Sequence, residues 1–297
     1  MKNIIVVGHI VLDTLFSNLK KTNLIGGPPS YAGLTVRKLG AEVTLLTKYG
    51  KDLSNEYLFW FTQNQINIPN AALSTTHSTT HFNIIQTAES RNLQLKARCE
   101  DIKCVGEDIK GNAAILSPVA GEIRSSILSN LRNKFETVYL DPQGFIRRFK
   151  HNGECFLDKI DKKVLKYTDI IKMDQEEAYY ITGSRDPFKS LQKTFESGVK
   201  VSIYTRGSKD VLLRCSEGLF KIPVVKNVKI LDITGVGDIF AGAFTFTYLQ
   251  DKDPIWAGSM ATASSSVHLD RLGVLKIPEI DDVVNVAEDI FERTERI

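Results

Sequence analysis

The chain has 297 residues and carries 38 lysines and arginines against 35 aspartates and glutamates, so its net charge at pH 7 is +3. This even balance gives no reason to expect a nucleic-acid-binding or membrane-surface protein. Hydrophobic residues make up 42% of the chain, and its 20 glycines and nine prolines are ordinary usage, which excludes the collagen-like and disordered classes. A chain of this length buries about three quarters of its extended surface, so its core needs no disulfide or metal.

The cysteines and the N-terminus indicate the compartment. The four cysteines are scattered and form no C-x-x-C pair, so we predict reduced thiols rather than a zinc site; they are Cys99, Cys104, Cys155 and Cys215. The apolar stretch Ile4–Val7 is broken by Gly8 and lacks a following small-residue cleavage site, so we do not expect a signal peptide. No stretch reaches the roughly 18 apolar residues of a membrane span. We therefore predict a cytoplasmic protein without a membrane or nucleic-acid partner.

Short apolar strands alternate with helices along most of the chain. Ile4–Val7 is typical of a buried parallel strand, and Ser30–Leu39 is typical of a helix that ends at a glycine, Gly40. The other predicted strands are 42–47, 113–116, 137–140, 169–172 and 202–205, with a hairpin over 211–225. The other predicted helices are 55–64, 125–134, 238–249 and 255–269. This alternation predicts βαβ units and a doubly wound, mostly parallel sheet.

Two segments, at about 13–25 and 75–104, interrupt this alternation with threonine, serine, asparagine and alternating apolar residues. Thr80–Gln86 and Asn92–Arg98 are predicted strands of a small antiparallel sheet. A β segment inserted twice into an α/β chain is expected to form a lid over the edge of the main sheet. We therefore predict one domain over residues 1–297 with a lid in two pieces.

The strongest local pattern is residues 232–238, which read DITGVGD and stand between a strand ending at Leu231 and an apolar helix. Backbone N–H groups at a glycine-rich turn and a helix N-terminus attract anions, above all phosphate. An acid at Asp238 would compete with that phosphate unless it takes a proton from a hydroxyl while the amides hold the transferring phosphoryl group. The alternative is that Asp238 only caps the helix.

The DITGVGD segment resembles the D-T-x-G-A-G-D signature of the ribokinase-like (PfkB) family of sugar and nucleoside kinases, with Ile233 and Val236 at the variant positions. The resemblance extends over nearly the whole chain. It implies a catalytic base at Asp238 and an anion hole formed by the amides of Gly235, Val236, Gly237 and Asp238. It further implies ATP and Mg²⁺, with a monovalent cation near Asp232 as a further candidate. Lids of this family sometimes pair across a dimer, which leaves a homodimer open.

The N-terminal part of the resemblance concerns the acceptor. Gly26 and Gly27 are similar to the glycine pair of the family, where the missing Cβ lets a polyol approach the backbone. Tyr31 stands where the family commonly has asparagine, so this substrate contact differs from a ribose or fructose type. Asp13 matches an acid that accepts hydrogen bonds from substrate hydroxyls. The alternatives are an ordinary turn for the glycines and a helix cap or loop acid for Asp13.

Residues 141–148 read DPQGFIRR and follow a predicted strand, which places them at the carboxyl edge of the sheet, where α/β proteins bind ligands. Gln143, assigned to the substrate side of the site, can donate to a phosphate oxygen, and Arg147 can neutralise the charge that spreads during phosphoryl transfer. Together with residues 79–83 and Arg91, this pattern is similar to the myo-inositol kinase branch. The alternative is a basic surface run.

Residues 174–177 read DQEE and resemble the N-x-x-E motif of the family. The resemblance implies that Glu177 acts on magnesium through water and that Asp174, in place of asparagine, serves the metal and the nucleotide. Carboxylates suit a hard cation that keeps several waters. An acidic start of a helix is the alternative.

Two further segments are assigned to the nucleotide. Residues 205–210 resemble the T-x-G-x-x-G loop, with Thr205 and Gly207 retained and Asp210 in place of the last glycine. Thr262 occupies the position where the family frequently has an adenine-pocket asparagine, although its small neighbours also suit helix packing.

These residues predict an ATP-dependent phosphotransferase that moves the γ-phosphate to a hydroxyl of a small polyol or sugar, with a myo-inositol-like acceptor favoured. One alternative is a kinase for a nucleoside or another sugar. Another is a non-catalytic nucleotide- or polyol-binding protein, motivated by the departures at Ile233, Asp174 and Asp210. An oxidoreductase ranks last, because the glycines of 235–237 lie late in the chain and lack the third glycine of a dinucleotide site.

Overall fold

The computed structural model describes residues 1–17, 20–86, 91–103, 106, 109–271 and 273–297. Its strands are β1 (Asn3–Val7), β2 (Val11–Ser17), β3 (Lys20–Gly26), β4 (Glu42–Leu46), β5 (Ile66–Asn67), β6 (Thr80–Gln86), β7 (Arg91–Ala97), β8 (Gly111–Leu116), β9 (Phe135–Leu140), β10 (Arg147–Phe149), β11 (Cys155–Leu157), β12 (Ile170–Met173), β13 (Val201–Arg206), β14 (Lys209–Cys215), β15 (Gly218–Ile222) and β16 (Glu295–Arg296). Its helices are α1 (Pro28–Lys38), α2 (Asn55–Gln63), α3 (Ser125–Lys134), α4 (Gln143–Ile146), α5 (Gln175–Thr182), α6 (Pro187–Glu196), α7 (Val236–Asp251), α8 (Pro254–His268) and α9 (Ile280–Glu292).

The main sheet has ten strands in the order β16-β15-β14-β13-β12-β9-β8-β1-β4-β5. Neighbours from β13 to β5 are parallel, whereas β14, β15 and β16 add antiparallel pairs at one edge. The doubly wound, mostly parallel α/β fold predicted from the sequence is confirmed. Across the residues that the structure describes, no helix is long and apolar enough to cross a membrane.

Both faces of the main sheet are covered by helices, which explains why its central strands are mostly apolar. In β1, Ile4 and Val6 point into a core shared with α1, α2, α7, α8 and α9. Ile5 and Val7 point into a second core shared with α3, α5 and α6. The strands between the two cores are therefore fixed in position, and the loops at their carboxyl ends can carry a site.

Helix α1 begins two residues earlier than the sequence predicts, at Pro28. Gly27 precedes it with φ 81°, and its carbonyl accepts hydrogen bonds from the N–H groups of Ser30 and Tyr31 at 3.0 and 3.2 Å. A proline suits the first turn of a helix, because its fixed φ is already helical and its missing N–H would have no partner there. The chain therefore turns from β3 directly into α1 at the glycine pair.

A second sheet has four strands in the order β3-β2-β6-β7 and combines residues of both predicted lid segments. The predicted antiparallel strands β6 and β7 do pair in that way, and so do β2 and β3, whereas the two pairs are joined by a parallel contact between β2 and β6 that was not predicted. The long connection between them, through α1, β4 and α2, allows a parallel pair that a short turn would forbid. Val11, Phe82 and Ile84 pack this sheet against Val119 and Ala120, beyond the end of β8.

The sequence did not predict the β10–β11 hairpin, whose strands pair from Arg147↔Leu157 to Phe149↔Cys155. Its turn contacts the second sheet, since the N–H of Leu95 in β7 donates to the carbonyl of Gly153 at 2.8 Å. A Cβ at Gly153 would lie 2.1 Å from the Leu95 carbonyl oxygen, so only glycine fits there. Of the four cysteines predicted to be reduced, Cys99, Cys155 and Cys215 are free thiols, and Cys104 lies outside the described residues. The side chain of Arg91, which the sequence analysis assigned to the acceptor pattern, also lies outside the described part of the chain.

Candidate active site

A cavity of about 870 Å³ lies between the carboxyl ends of the main sheet and the second sheet. Ten of the residues that the sequence analysis assigned a catalytic, acceptor, nucleotide or metal role line it: Asp13, Gly27, Tyr31, Gln143, Arg147, Asp174, Glu177, Gly235, Gly237 and Asp238. Within the described ranges, five residues with such a role do not line it: Gly26, Val236, Thr205, Gly207 and Thr262. The structure therefore brings the predicted acceptor, phosphate and metal residues together, and leaves most of the predicted nucleotide residues apart from them.

The DITGVGD turn is shaped by Gly235, which precedes α7 with φ 75°. A Cβ there would lie 2.3 Å from Cγ of the Tyr31 ring, so the tyrosine packs directly on this glycine. Tyr31 is buried, and it supports the turn in addition to lining the cavity. In the first turn of α7, Val236 accepts a hydrogen bond at its carbonyl from Ser265 Oγ at 3.2 Å.

Asp238 lies in the first turn of α7 and is held by a short chain of hydrogen bonds. Ser117 Oγ donates to Asp238 Oδ1 at 3.2 Å, and Gln143 Nε2 donates to Ser117 Oγ at 3.1 Å. Burial raises the pKa of Asp238 to about 7, and the carboxylate of Asp141 adds to this rise, whereas Lys172, Ser117 and Arg147 oppose it. An acid with a pKa near neutrality is suited to accept a proton during a reaction at physiological pH.

Lys172 in β12 was not predicted, although a lysine inside the apolar strand Ile170–Met173 is a visible signal. Its Nζ donates to Asp141 Oδ2 at 2.7 Å and lies 3.8 Å from Glu177 Oε2. Burial lowers the pKa of Lys172, but the charges of Asp141 and Glu177 outweigh this effect and hold the pKa well above its usual value. The ammonium is therefore charged, with Asp141 as its main counter-charge.

Asp174 and Glu177 form a capping box at the start of α5. Asp174 Oδ1 accepts from the N–H of Glu177 at 2.8 Å, and Glu177 Oε2 accepts from the N–H of Asp174 at 2.7 Å. Burial raises the pKa of Glu177, and Lys172 opposes that rise. In the described part of the chain, no three or more acidic, histidine or cysteine side chains cluster as direct metal ligands. The pair instead fits a Mg²⁺ ion that keeps its waters and meets the carboxylates through them.

At Gly26 and Gly27, neighbouring atoms of the protein leave no space for a side chain. A Cβ at Gly26 would lie 2.2 Å from Asp13 Oδ2, and a Cβ at Gly27 would lie 2.4 Å from the carbonyl oxygen of His9. The predicted reason for the pair, close approach of a polyol, therefore applies at most to Gly27, which lines the cavity. Gly26 lets the Asp13 carboxylate of β2 lie against β3, so that Asp13 lines the cavity as a buried acid.

Glu122 was also missed by the sequence analysis. It is buried, and its carboxylate accepts from the N–H groups of His9 at 3.0 Å, Val119 at 2.9 Å and Ala120 at 2.7 Å. Arg147 Nη1 donates to the Val119 carbonyl at 3.5 Å. Glu122 thus joins the chain segments that follow β1 and β8.

The remaining nucleotide residues make internal contacts. Thr205 Oγ1 donates to the Met173 carbonyl at 3.4 Å, and Thr262 is buried with Oγ1 donating to the Gly258 carbonyl at 2.8 Å. Gly207 lies at φ 63° in the tight turn between β13 and β14. Thr262 is thus packed within α8, and its assignment to the nucleotide stays a prediction.

Asp232, the acid beside which a monovalent cation is a candidate, accepts hydrogen bonds from backbone N–H groups. Its Oδ1 accepts from the N–H of Thr234 at 2.8 Å, and its Oδ2 accepts from the N–H of Gly273 at 3.2 Å. The side chain is buried and fixes the DITGVGD turn against the segment that follows α8. This role explains the acid at the first position of the motif, and the monovalent cation stays a prediction.

Residues 123–280 of the chain match the pfkB family of carbohydrate kinases. The chain belongs to this family. The match runs from α3 through α8 to the first residue of α9, and it includes the DITGVGD turn, Arg147 and Asp174. This pfkB kinase is therefore a phosphotransferase of the kind that acts on sugars or nucleosides.

Relatives agree on the family and differ in their acceptors. The kinase is 26% identical to the cytidine kinase of Thermococcus kodakarensis over 85% of its own length and 90% of the relative. It is 25% identical to the ribokinase of Mus musculus over 82% and 80% of the two chains. A solved structure of a pyrophosphate-dependent kinase in the ribokinase family, complexed with a pyrophosphate analogue and myo-inositol, superposes with a TM-score of 0.81 at 23% identity, covering 94% of this chain and 100% of that chain.

Proposed function

We propose that this pfkB kinase transfers the γ-phosphoryl group of ATP to a hydroxyl of a small, uncharged polyol of the myo-inositol type. The observation that carries the proposal is Asp238: a half-buried acid with a pKa of about 7, in the first turn of a helix that faces the cavity. A helix N-terminus attracts phosphate, and an acid poised near neutrality is suited to deprotonate a hydroxyl. These two properties meet at one residue.

In the proposed reaction, Asp238 takes the proton of the acceptor hydroxyl while the oxygen of that hydroxyl forms a bond to the γ-phosphorus. The bond from that phosphorus to the bridging oxygen breaks, and ADP leaves with that oxygen. The amides of residues 235–238 and the guanidinium of Arg147 stabilise the charge on the transferring group. Asp174 and Glu177 would hold Mg²⁺ through water, and the ion would supply further neutralisation of the phosphates.

The acceptor is proposed from the wall that the second sheet and the β10–β11 hairpin provide. This wall presents carboxylates and amides, which suit vicinal hydroxyls: Asp13, Asn92, Gln94, Asn152 and Glu154. Among the described lining residues, the only cations are Arg147 and Lys172, both of which we assign to the phosphoryl end. A phosphorylated acceptor would need a further cation, so an uncharged polyol fits better.

We further propose that the chain is one kinase domain with the second sheet as its lid. The sheet lies over the cavity and is tied to the β10–β11 hairpin, and closure of such a lid would exclude water as a competing acceptor.

A panel of acceptors with coupled detection of ADP tests the proposal. We expect turnover with myo-inositol above that with ribose, cytidine or a sugar phosphate. Turnover with cytidine or ribose but not with myo-inositol would replace the acceptor and keep the kinase. Thermal stabilisation by ATP and myo-inositol without ADP production would indicate a binding protein instead.

Pyrophosphate as the donor is a second candidate, favoured by one observation. In the described structure, the predicted nucleotide residues Thr205, Gly207 and Thr262 do not line the cavity. The end of the cavity at the DITGVGD turn, with Arg147 and Lys172, is by contrast rich in polar groups. Against this, Ile233 lines the cavity and is 40% exposed, which offers apolar contact to a base. Initial rates with ATP and with pyrophosphate at one acceptor concentration decide between the donors.

A further inference from the structure

Lys172 is a buried cation whose hydrogen-bonding capacity is not used up by the protein. Its side chain is 9% exposed, and it lines the cavity. An ammonium has three N–H donors. In the described residues only Asp141 Oδ2, at 2.7 Å, accepts one of them, because Glu177 Oε2 at 3.8 Å is beyond hydrogen-bond distance. Donors of Lys172 therefore remain for a ligand in the cavity.

The ammonium lies directly beside the anion-binding turn. A Cβ at Gly237 would be 3.3 Å from Lys172 Nζ and 3.8 Å from Asp141 Oδ2. No side chain at position 237 therefore separates the ammonium from the start of α7. An oxygen atom that accepts hydrogen bonds from the amides of this turn would lie within reach of the same ammonium.

We propose that Lys172 is a catalytic residue that donates a hydrogen bond to a phosphate oxygen of the phosphoryl donor, together with the amides of residues 235–238. This inference rests on the proposed function, in that the cavity is taken to bind a phosphoryl donor at this turn. Asp141 orients the ammonium and keeps it charged in a buried position. A charge-assisted donor that is fixed before the substrate arrives stabilises developing charge without rearrangement.

The competing explanation is that Lys172 and Asp141 only join the adjacent strands β12 and β9. The two explanations differ in what a neutral replacement would do. A buried ion pair with a structural role can be replaced by a neutral pair of similar shape with little loss, whereas removal of one partner leaves an uncompensated charge. A ligand-binding ammonium cannot be replaced in this way.

The decisive variant is therefore the double substitution Lys172→Met with Asp141→Asn, compared with Lys200→Met as control. Lys200 also forms an ion pair, with Asp169 Oδ1 at 2.9 Å, and it does not line the cavity. We expect the double variant to unfold at a temperature near that of the wild type, and its kcat/KM for the donor to fall by about 100-fold or more. The control is expected to keep wild-type donor kinetics. A double variant whose donor kcat/KM stays within about threefold of wild type would overturn the proposal.

Titration calorimetry with inorganic tripolyphosphate separates this inference from the proposed function. Binding by the wild type that is lost in the double variant supports the role of Lys172 even where no acceptor is turned over. A wild type that binds neither tripolyphosphate nor ATP would overturn both proposals. Turnover by the wild type together with equal tripolyphosphate affinity in both proteins would overturn only this one.

Should the double variant fail to fold, Lys172→Arg takes its place. The guanidinium keeps the charge beside Asp141 but presents its donors in a planar fork that does not match a compact ammonium. We expect an unchanged unfolding temperature and a donor kcat/KM that falls at least tenfold, about 1.4 kcal/mol. Unchanged donor kinetics in this variant would assign Lys172 to strand pairing alone.

Discussion

Ser117 donates a hydrogen bond to Oδ1 of Asp238 at 3.2 Å, from the segment that follows β8 to the first turn of α7. The amide of Gln143 in turn donates to Ser117 Oγ. The sequence assigned this glutamine to a ligand, and the structure directs its Nε2 to the hydroxyl that orients the proposed base. Gln143 thus acts through Ser117 on Asp238, while its side chain still lines the cavity.

Replacing Asp238 by asparagine is expected to reduce turnover by about 10²- to 10⁴-fold, because the variant lacks the proton acceptor while the turn keeps its amides. ATP affinity, measured by titration calorimetry, is expected to stay near that of the wild type. The matched control is Asp251→Asn, the same change at the exposed end of α7. Near-normal kcat in Asp238→Asn would exclude this residue as the base.

The pKa of Asp238, about 7, predicts how the rate depends on pH. Below that value the carboxyl is protonated and cannot accept the hydroxyl proton, so kcat/KM for the acceptor should rise about tenfold per pH unit and level off above about pH 7. A pH profile of initial rates measures this rise, the acidic limb of the profile. A rate that does not change between about pH 5 and pH 9 would contradict the assignment.

Removing the Ser117 hydroxyl should move that limb toward higher pH. Its hydrogen bond stabilises the charged form of Asp238 and so lowers the pKa of this acid. In Ser117→Ala we expect the rate at pH 6 to fall by a larger factor than the rate at pH 9. Ser259→Ala is the control, because its buried hydroxyl donates to a helix carbonyl, that of Ile255. Equal losses at both pH values would point to a purely structural effect.

Gly235 should tolerate alanine much less than Gly207, although both have positive φ. The backbone penalty, about 1–2 kcal/mol, applies at both positions. At Gly235 the added methyl also meets the Tyr31 ring at 2.3 Å, whereas among the described atoms nothing lies within 4 Å of the methyl at Gly207. Overpacking adds about 1–3 kcal/mol. Chemical denaturation of the two alanine variants measures the difference, and equal destabilisation would contradict the packing of Tyr31 on the turn.

Local patterns predicted much of the fold. Helix α3 over 125–134 and strand β6 over 80–86 were predicted with their observed bounds, because periodicity and flanking residues determine them within a short stretch. The parallel pairing of β2 with β6 could not be predicted in this way. It depends on where α1 and α2 pack, which no local pattern records.

In the candidate site, too, the sequence revealed the residues of a local motif and missed those whose roles depend on distant partners. Asp238 and its glycine-rich turn form a continuous motif, so the sequence revealed them. Lys172 and Ser117 acquire their roles only through partners far along the chain, Asp141 and Asp238. The β10–β11 hairpin was missed because its strands have three residues each, too few for an alternating pattern to be recognised.

The contact of Gly153 with Leu95 offers a position at which the entrance of the cavity can be changed by substitution. Strand β7 is the edge of its sheet, and the hairpin turn covers part of that edge. One methyl group at position 153 would act as a wedge, since it cannot coexist with the Leu95 carbonyl at 2.1 Å. Gly153→Ala should therefore widen the entrance and favour bulkier acceptors, without altering Asp238 or Lys172, which lie outside the hairpin. An acceptor series of increasing size, compared with the wild type, would measure that gain.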